Sequence, residues 1–327
     1  MNNPIDVLPS QQAVQSLLDK IEPGSHLVKM EAPPGSFSNY THVVDARRCD
    51  ARAVHGADFR LVIRRYKVFG NYDRGEKARR EYKTFELLQR HGVPAPRPLL
   101  LDETGALLEI PGIVMAFVPG EQVYRPADPV QWARALAVTL AKIHSIPCDA
   151  EAQKFLLDAD SEVSWFIRHD PPPEYMLKHP DGVRVWQAVR ELFPNRAPAQ
   201  PGLVHVDYWP GNILWQGDQI SAVLDWEEAA YGATGYDVAY ARLNMVMSGY
   251  EHIADEFLHT YEVEMGRPTA NGWPTANLGL WELVAAVRPM FGWGDEIYES
   301  PAKERLEEFI ADAMKRAGRG VFITRRA

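Results

Sequence analysis

Three polar residues that could bind a cation or accept a proton border short apolar segments about two thirds of the way along the chain. Asp207 and Asn212 lie five residues apart across a Pro-Gly turn, and Asp225 directly follows the mostly apolar segment 220–224. The segments are typical of short strands, whose neighbouring ends would deliver two carboxylates and an amide. Such oxygens suit a hard cation, and one carboxylate could act as a base towards a substrate hydroxyl.

The elements that must position these residues are expected to form two lobes, because 327 residues exceed the usual size of one hydrophobic core. β-prone segments predominate before Pro119, and apolar residues at helical spacing predominate after it. We therefore predict an α+β fold. Its N-terminal lobe covers residues 1–118, with a leader helix at about 10–22, and a mostly helical lobe covers 119–327.

The composition argues against several classes of protein. A formal net charge of −9 disfavours nucleic acid as a partner, because backbone phosphates are bound by clustered Lys and Arg. The acidic surface would suit a cationic substrate, and it equally serves solubility. No segment has the roughly 18 to 20 apolar residues of a membrane helix, and no signal-peptide pattern is seen. Cys49 and Cys148 lack metal-ligand spacing. We predict a cytoplasmic protein, monomeric or homodimeric.

One cation and one carboxylate of the predicted N-terminal lobe could point inward. Arg64 and Arg65 end a predicted strand, and since successive side chains alternate in direction, one of them could face a cleft. Two solvated charges would explain the same pattern. Glu81 lies on a helical stripe with apolar residues, which requires a partner for its charge, unless it sits at the rim and pairs with Lys77.

A turn of small residues precedes that strand. Segment 32–41 contains Gly35, Ser36, Ser38 and Asn39, followed by β-prone residues. Backbone N–H groups of such a turn can bind phosphate oxygens. With one glycine in its tip, the turn on its own favours a plain hairpin.

An ordered series of motifs resembles the signature of the aminoglycoside phosphotransferase / choline kinase family. The family's usual run is His-Gly-Asp, four residues, Asn, a strand ending in Asp-Trp-Glu, a Gly and a further Asp. The corresponding segments here are His205-Val206-Asp207, Asn212, Leu224-Asp225-Trp226-Glu227 and Gly235-Tyr236-Asp237. The resemblance covers most of the chain and implies a two-lobed, protein-kinase-like fold. It also implies transfer of the γ-phosphoryl group of ATP or GTP to a hydroxyl of a small molecule.

The resemblance implies roles for the residues of this series. Asp207 is expected to be the catalytic base, and His205 to brace its loop by hydrogen bonding. Asn212 and Asp225 are expected to bind Mg²⁺. Glu227 either contacts a second metal ion or, as we favour, supports the site from behind.

The resemblance also implies a nucleotide site in the first lobe. Arg64 takes the place of a lysine that touches phosphates, and Glu81 would hold it by an ion pair, although a shift of one residue to Arg65 stays open. The turn would donate hydrogen bonds to phosphates, and the strand before Pro119 would receive adenine. The residues concerned are Ser36, Ser38 and Asn39 in the turn, and Met115 and Phe117 in the strand.

Two residues depart from the family pattern. Arginine at position 64 is bulkier than lysine and binds as a planar fork. Val206 replaces a glycine, and as a β-branched residue it is expected to exclude a positive φ and to add bulk beside Asp207.

Asp237 is expected to hold the catalytic loop by accepting backbone N–H groups.

Two other functions fit parts of the pattern. The departures at Arg64 and Val206 would fit a nucleotide-binding or regulatory module without catalysis. A metallohydrolase would need several converging ligands, and His205 is the only histidine of the cluster. The acceptor is expected to bind in the helical lobe, where candidate residues for the pocket wall are Tyr208, Trp209, Trp281, Arg288 and Trp293.

Overall fold

The structure is a computed structural model in which helices and strands are mixed, so the predicted α+β class is confirmed. It describes residues 8–33, 39–48, 58–68, 72–266 and 275–318. The predicted phosphate donors Ser36 and Ser38 lie outside these residues. None of the described helices is both long and apolar enough to span a membrane.

The chain divides into two compact units. The first comprises residues 1–120 and 221–228, and the second comprises 121–220 and 229–327. Segment 221–228, which carries Asp225, therefore belongs to the first unit, an assignment that the sequence analysis did not make. The predicted lobe boundary at residue 118 stays a prediction.

The first unit contains a five-stranded antiparallel sheet in the order β1-β2-β3-β5-β4. Its strands are β1 (Ser25–Glu31), β2 (Tyr40–Arg48), β3 (Asp58–Arg65), β4 (Pro98–Asp102) and β5 (Gly112–Ala116). Two helices accompany the sheet, α1 (Gln11–Ile21) and α2 (Arg74–Arg90). The first of these forms where the leader helix is predicted.

Local sequence explains where both helices begin. Ser10 caps α1 by accepting a hydrogen bond from the Ala13 backbone N–H at 3.1 Å, and Asp73 caps α2 in the same way at 2.9 Å. The buried face of α1 joins apolar side chains of β2, β3 and β5 in one core cluster. Its members include Val14, Leu17, Leu18, Val44, Leu61, Ile63 and Val114.

The second unit is mostly helical. Its helices are α3 (Pro129–His144), α4 (Ala150–Gln153), α5 (Ala159–Ser164), α6 (Glu174–Lys178), α7 (Gly182–Leu192), α8 (Gly235–Met247), α9 (Glu251–Met265), α10 (Leu278–Ala285), α11 (Val287–Gly292) and α12 (Ala302–Arg316). A three-stranded sheet in the order β6-β10-β7 consists of β6 (Leu157–Asp158), β10 (Ala230–Ala233) and β7 (Pro201–Val204). Two further strands are β8 (Ile213–Gln216), in the second unit, and β9 (Gln219–Val223), whose last three residues belong to the first unit.

Two elements of the second unit set the position of the predicted catalytic loop. The loop leaves β7 at Val204, and β7 pairs with β10, which leads directly into α8. Asp237 lies in the first turn of α8, beneath the start of that loop. A 3-10 turn over Pro210–Asn212 then carries Asn212 before β8 begins.

Candidate active site

Arg64, at the end of β3, is the centre of a buried ionic cluster in the first unit. Its side chain is 10% exposed, and its Nε lies 3.1 Å from Oε2 of Glu81, which is fully buried on α2. Its Nη2 pairs with Oδ1 of Asp225 and lies 3.7 Å from Oε2 of Glu227. Burial alone would lower the pKa of the Arg64 guanidinium, but the three carboxylates together raise it well above its usual value.

The alternation of β3 resolves which arginine faces the carboxylates. Arg65 is fully buried on the other face, where it donates to the Leu108 carbonyl at 3.2 Å and lies 3.8 Å from Glu109. The cation of the cluster is therefore Arg64. The alternative of two solvated charges is wrong for both residues, because neither side chain is exposed.

Glu81 is a buried partner of Arg64 and not a rim residue. One oxygen accepts the backbone N–H of Trp226 at 3.1 Å, and the other accepts the hydroxyl of Tyr66. Burial raises the pKa of the Glu81 carboxyl to about 7, with Arg64 opposing the shift and the charge of Asp225 adding to it. Tyr66 follows β3 directly, and the sequence analysis did not identify it.

Glu227 is held by three groups of the first unit. Its Oε2 accepts a hydrogen bond from Nδ2 of Asn39 at 2.7 Å and lies 3.7 Å from Nζ of Lys77, while Arg80 binds its backbone carbonyl at 2.6 Å. Oδ1 of Asn39 accepts the backbone N–H of Lys67 at 3.3 Å. Asn39, predicted to contact phosphates, thus ties the start of β2 to Glu227.

The two predicted adenine contacts lie at the end of β5. Met115 is buried and pairs with Val62 of β3. Phe117 is half-buried, and the guanidinium of Arg60 lies 3.8 Å from its ring centroid. Their contact with a nucleotide stays a prediction.

Asp207 is held in a defined orientation in the second unit. Its Oδ2 accepts a hydrogen bond from Nδ2 of Asn212 at 2.9 Å, and its Oδ1 accepts one from Nη2 of Arg288 at 3.1 Å. The side chain keeps 28% of its surface exposed. Each carboxylate oxygen has a second lone pair, so Asp207 can still accept a proton from a bound hydroxyl.

Asp237 fixes the backbone that carries Asp207. Its two oxygens accept the N–H groups of His205 at 2.6 Å and Val206 at 2.8 Å. Nδ1 of His205 in turn accepts the Asp207 backbone N–H at 3.2 Å. Asp237 thus accepts loop N–H groups as expected, while the role of His205 in bracing the loop stays a prediction.

The support of Asp237 extends further into the second unit. Nε2 of His144 lies 3.2 Å from Oδ2 of Asp237, and Nδ1 of His144 lies 2.7 Å from the hydroxyl of Tyr261. Neither residue was identified as a site residue from the sequence, and Tyr261 lies on an apolar helical stripe that predicts a core position. His144, the last residue of α3, had only its polarity as a signal.

The expectation that Val206 excludes a positive φ is wrong. Its φ is 73°, in the left-handed region that the family's usual glycine adopts without strain. The bonds of Asp237 to the N–H groups of residues 205 and 206 hold this conformation, and the valine side chain is 3% exposed. The surrounding structure thus overrides the local preference of a β-branched residue.

The oxygens of each unit separately fit Mg²⁺. Both hydrogen bonds of the Asn212 side chain use its Nδ2, towards the Asp207 backbone carbonyl and Oδ2. Its amide oxygen accepts no hydrogen bond within the described residues, as expected of a ligand for a hard cation. In the first unit Arg64 contacts only Oδ1 of Asp225, which leaves Oδ2 for a ligand.

Within the described ranges, no group of three or more His, Cys, Asp and Glu side chains could hold a metal ion. The metallohydrolase alternative stays a hypothesis.

The remaining acceptor candidates differ in exposure. Tyr208 and Trp281 are 1% exposed, and the Tyr208 hydroxyl donates to the Leu136 carbonyl at 2.9 Å, so both are core residues. Trp209 is half-buried against Tyr124, with ring centroids 6.1 Å apart. Trp293 is also half-buried.

Comparison with known proteins supports the pattern of motifs. The model of a family described as "Phosphotransferase enzyme family" matches residues 44–276. A homoserine kinase of Brucella anthropi is 23% identical over 238 residues, which cover 69% of each chain. Acyl-CoA dehydrogenase family member 10 of Mus musculus is 24% identical over 247 residues, which cover 66% of this chain and 23% of the mouse protein. The chain therefore spans about a quarter of that relative.

Solved structures share the fold. A macrolide 2'-phosphotransferase of Brachybacterium faecium has a TM-score of 0.60 and 21% identity, covering 91% of this chain and 98% of the other. The ADP-bound aminoglycoside phosphotransferase APH(2'')-Ib has a TM-score of 0.53 and 14% identity, covering 95% and 99%. At these identities the similarity shows the protein-kinase-like fold alone.

Proposed function

Because the chain belongs to the phosphotransferase enzyme family, we propose that it moves the γ-phosphoryl group of ATP to a hydroxyl of a small molecule. Membership of the family confirms the predicted class of enzyme, a small-molecule kinase. ATP is favoured as the donor because a neighbour of the same fold binds ADP. GTP, which the sequence analysis left open, has no support among the similar proteins named above.

The observation that carries the proposal is the setting of Asp207. Asn212 and Arg288 orient its carboxylate, and Asp237 fixes the backbone before it. We assign Asp207 as the base that accepts the proton of the acceptor hydroxyl. The hydroxyl oxygen then bonds to the γ-phosphorus, the bond from that phosphorus to the bridging oxygen breaks, and ADP leaves.

The other groups neutralise and position charge in this proposal. Asn212 and Asp225 would hold Mg²⁺, which when bound neutralises the phosphate oxygens. Arg64 is pinned by Glu81 and would supply a fixed positive charge for phosphates. Glu227, already bound by Asn39, would support Asp225. A cytoplasmic location and a monomeric or homodimeric state stay predictions.

A coupled ADP-release assay over a library of hydroxyl compounds tests the function. In Asp207→Asn, turnover should fall by about 10²- to 10⁴-fold, the usual contribution of a general base, while the Kd for MgATP stays within about twofold. Asp128→Asn is the matched control, because Asp128 caps α3 with hydrogen bonds of 3.0 and 3.1 Å and asparagine caps equally well.

Two outcomes would count against this assignment. Full turnover of Asp207→Asn would exclude Asp207 as the base. MgATP binding without turnover of any library compound would favour the inactive nucleotide-binding module instead.

A further inference from the structure

Three buried polar side chains of the second unit form a connected series behind the catalytic loop. The hydroxyl of Tyr261, on α9, lies 2.7 Å from Nδ1 of His144, at the end of α3. Nε2 of His144 lies 3.2 Å from Oδ2 of Asp237, on α8. The side chains of His144 and Asp237 are 0% exposed, and Tyr261 is fully buried as well. We call Tyr261, His144 and Asp237 the support series.

The chemistry of Asp237 sets the direction of both hydrogen bonds. An ionised carboxylate only accepts, so Nε2 of His144 carries the proton of the bond to Asp237. A neutral imidazole with a proton on Nε2 has a bare Nδ1, which accepts the hydroxyl proton of Tyr261. The hydroxyl of Tyr261 is thus the donor at the outer end of the support series.

Asp237 does not require a cationic imidazole to balance its charge. It lies in the first turn of α8, where the helix dipole favours a negative side chain. Its two oxygens also accept the backbone N–H groups of His205 and Val206. Because burial disfavours the charged form of histidine, the neutral imidazole is the form that this interior favours for His144.

The inner end of the support series acts on the backbone that carries Asp207. Oδ2 of Asp237, which faces His144, also accepts the N–H of His205 at 2.6 Å, and Oδ1 accepts the N–H of Val206 at 2.8 Å. Val206 has a φ of 73°, which a β-branched residue keeps only where its surroundings hold it. A rotation of the Asp237 carboxylate would therefore loosen the backbone directly before Asp207.

Tyr261 holds the imidazole in the orientation that serves Asp237. Its ring meets that of His144 edge to face, with centroids 5.6 Å apart and an angle of 83° between the planes. Without the hydroxyl, Nδ1 of His144 would be a buried acceptor that has lost its donor, which is a costly state. Rotation of the imidazole, or transfer of its proton to Nδ1, would relieve this state, and either change would break the bond to Asp237.

We propose that Tyr261 is a positioning residue, which acts through His144 and Asp237 on the base Asp207. This inference rests on the proposed function, since it concerns the alignment of the same base. The support series ends at the backbone before Asp207, so the loss of the Tyr261 hydroxyl should reduce kcat and leave the binding of MgATP unchanged.

NMR of the wild-type protein with ¹⁵N-labelled histidine tests the direction of the hydrogen bonds. His144 should show a protonated Nε2 and a bare Nδ1, and its signals are assigned by their absence from His144→Gln. In Tyr261→Phe the Nδ1 signal should move towards that of a nitrogen without a hydrogen bond. A protonated Nδ1 in the wild-type protein would overturn the proposal, and this measurement needs no variant to be active.

Amide hydrogen exchange measures the effect on the loop without any substrate. In Tyr261→Phe the N–H groups of His205 and Val206 should exchange about 3- to 10-fold faster relative to those of α7, the change expected for one net hydrogen bond. Tyr250→Phe is the matched control. Tyr250 directly precedes α9, and its ring packs against Trp132 at a centroid distance of 6.0 Å, outside the support series.

Steady-state kinetics with an acceptor from the ADP-release screen measure the effect on the base. Tyr261→Phe should lower kcat by about 3- to 10-fold and leave the KM for MgATP within about twofold, whereas Tyr250→Phe should keep both. In His144→Leu the support series is already broken, so adding Tyr261→Phe should lower kcat no further. Equal losses in the two backgrounds would refute the route through His144. Thermal melting checks that each variant folds.

The outcomes separate this inference from the proposed function. Unchanged kcat and unchanged exchange of the loop in Tyr261→Phe would refute the role of Tyr261 and leave the kinase assignment standing. If no alcohol yields ADP, the proposed function fails. The NMR signals of His144 and the exchange of the loop then decide whether Tyr261 holds the loop.

Discussion

Substituting Val206 provides a direct test of the strain in the catalytic loop. Val206→Ala and Val206→Gly both remove buried methyl groups, which contribute about 0.8 kcal/mol each. The two variants differ in backbone preference. At φ 73°, a residue with a Cβ incurs about 1 to 2 kcal/mol, and glycine does not. Glycine has the larger entropy loss on folding, about 0.5 to 1 kcal/mol. Val206→Gly also removes one more buried methyl group than Val206→Ala, so these differences nearly cancel and the two variants should be about equally stable.

Val204 offers a matched control two residues earlier. It is fully buried, like Val206, but it lies on β7, paired with Ala230, and its φ is not positive. At this position the larger entropy loss of glycine and its missing buried methyl group act without any relief of strain, so Val204→Gly should be less stable than Val204→Ala by about 1.3 to 1.8 kcal/mol. The difference in stability between the alanine and glycine variants should thus be about 1 to 2 kcal/mol larger at position 204 than at position 206.

Urea denaturation followed by circular dichroism measures all four variants. Both positions lie in the second unit, so the same unfolding transition is compared and its m value should not change. If glycine is less stable than alanine by the same amount at both positions, Val206 carries no backbone strain, and the explanation of its conformation is refuted.

Three further perturbations follow from buried charges. Asp237→Asn replaces an oxygen that accepts a loop N–H with an NH₂ group. This substitution should lower the free energy of unfolding by about 3 kcal/mol in a denaturation experiment. It should also reduce kcat in steady-state kinetics. Arg64→Gln leaves Glu81 as an uncompensated buried carboxylate and should lower the free energy of unfolding by about 3 to 5 kcal/mol. Arg64→Lys keeps a positive charge and should lower the free energy of unfolding less. Equal losses in the two variants would contradict the role of Arg64 as the partner of Glu81. His42 is fully buried, neither of its ring nitrogens has a hydrogen-bond partner among the described residues, and burial lowers its pKa from 6.5 to about 4. Below pH 6.5 the unfolded chain therefore binds more protons than the folded chain. About 2 kcal/mol of the free energy of unfolding should be lost as the pH falls from 7 to 5. In pH-dependent denaturation, His42→Leu should lack this part of the loss.

The sequence predicted those parts of the fold and site that depend on local pattern. Helical and strand periodicity predicted the α+β class, and the capping residue Ser10 marks the start of α1. The resemblance to the family identified Asp237 as an acceptor of loop N–H groups. Alternation along β3 indicated that one arginine could face a cleft, and the resemblance to the family paired Arg64 with Glu81.

Other features depend on contacts between distant residues and had no local signal. Arg64 and Asp225 pair across 161 positions, and Arg288 reaches Asp207 across 81. The assignment of segment 221–228 to the first unit follows from such pairings, including the bond from the Trp226 N–H to Glu81. Periodicity describes one element at a time and cannot show which side chains meet.

The two strained residues of the site differ in what their side chains explain. Asp225 has a φ of 64°, and aspartate tolerates this region better than most residues because its short polar side chain bonds locally. Its carboxylate is also needed for Arg64. Neither of these explanations applies to the positive φ of Val206. Glycine would adopt the same φ without strain and would still donate its N–H to Asp237. The feature that valine alone supplies is an apolar side chain that is 3% exposed, and burial of its methyl groups, about 0.8 kcal/mol each, offsets the backbone strain at position 206.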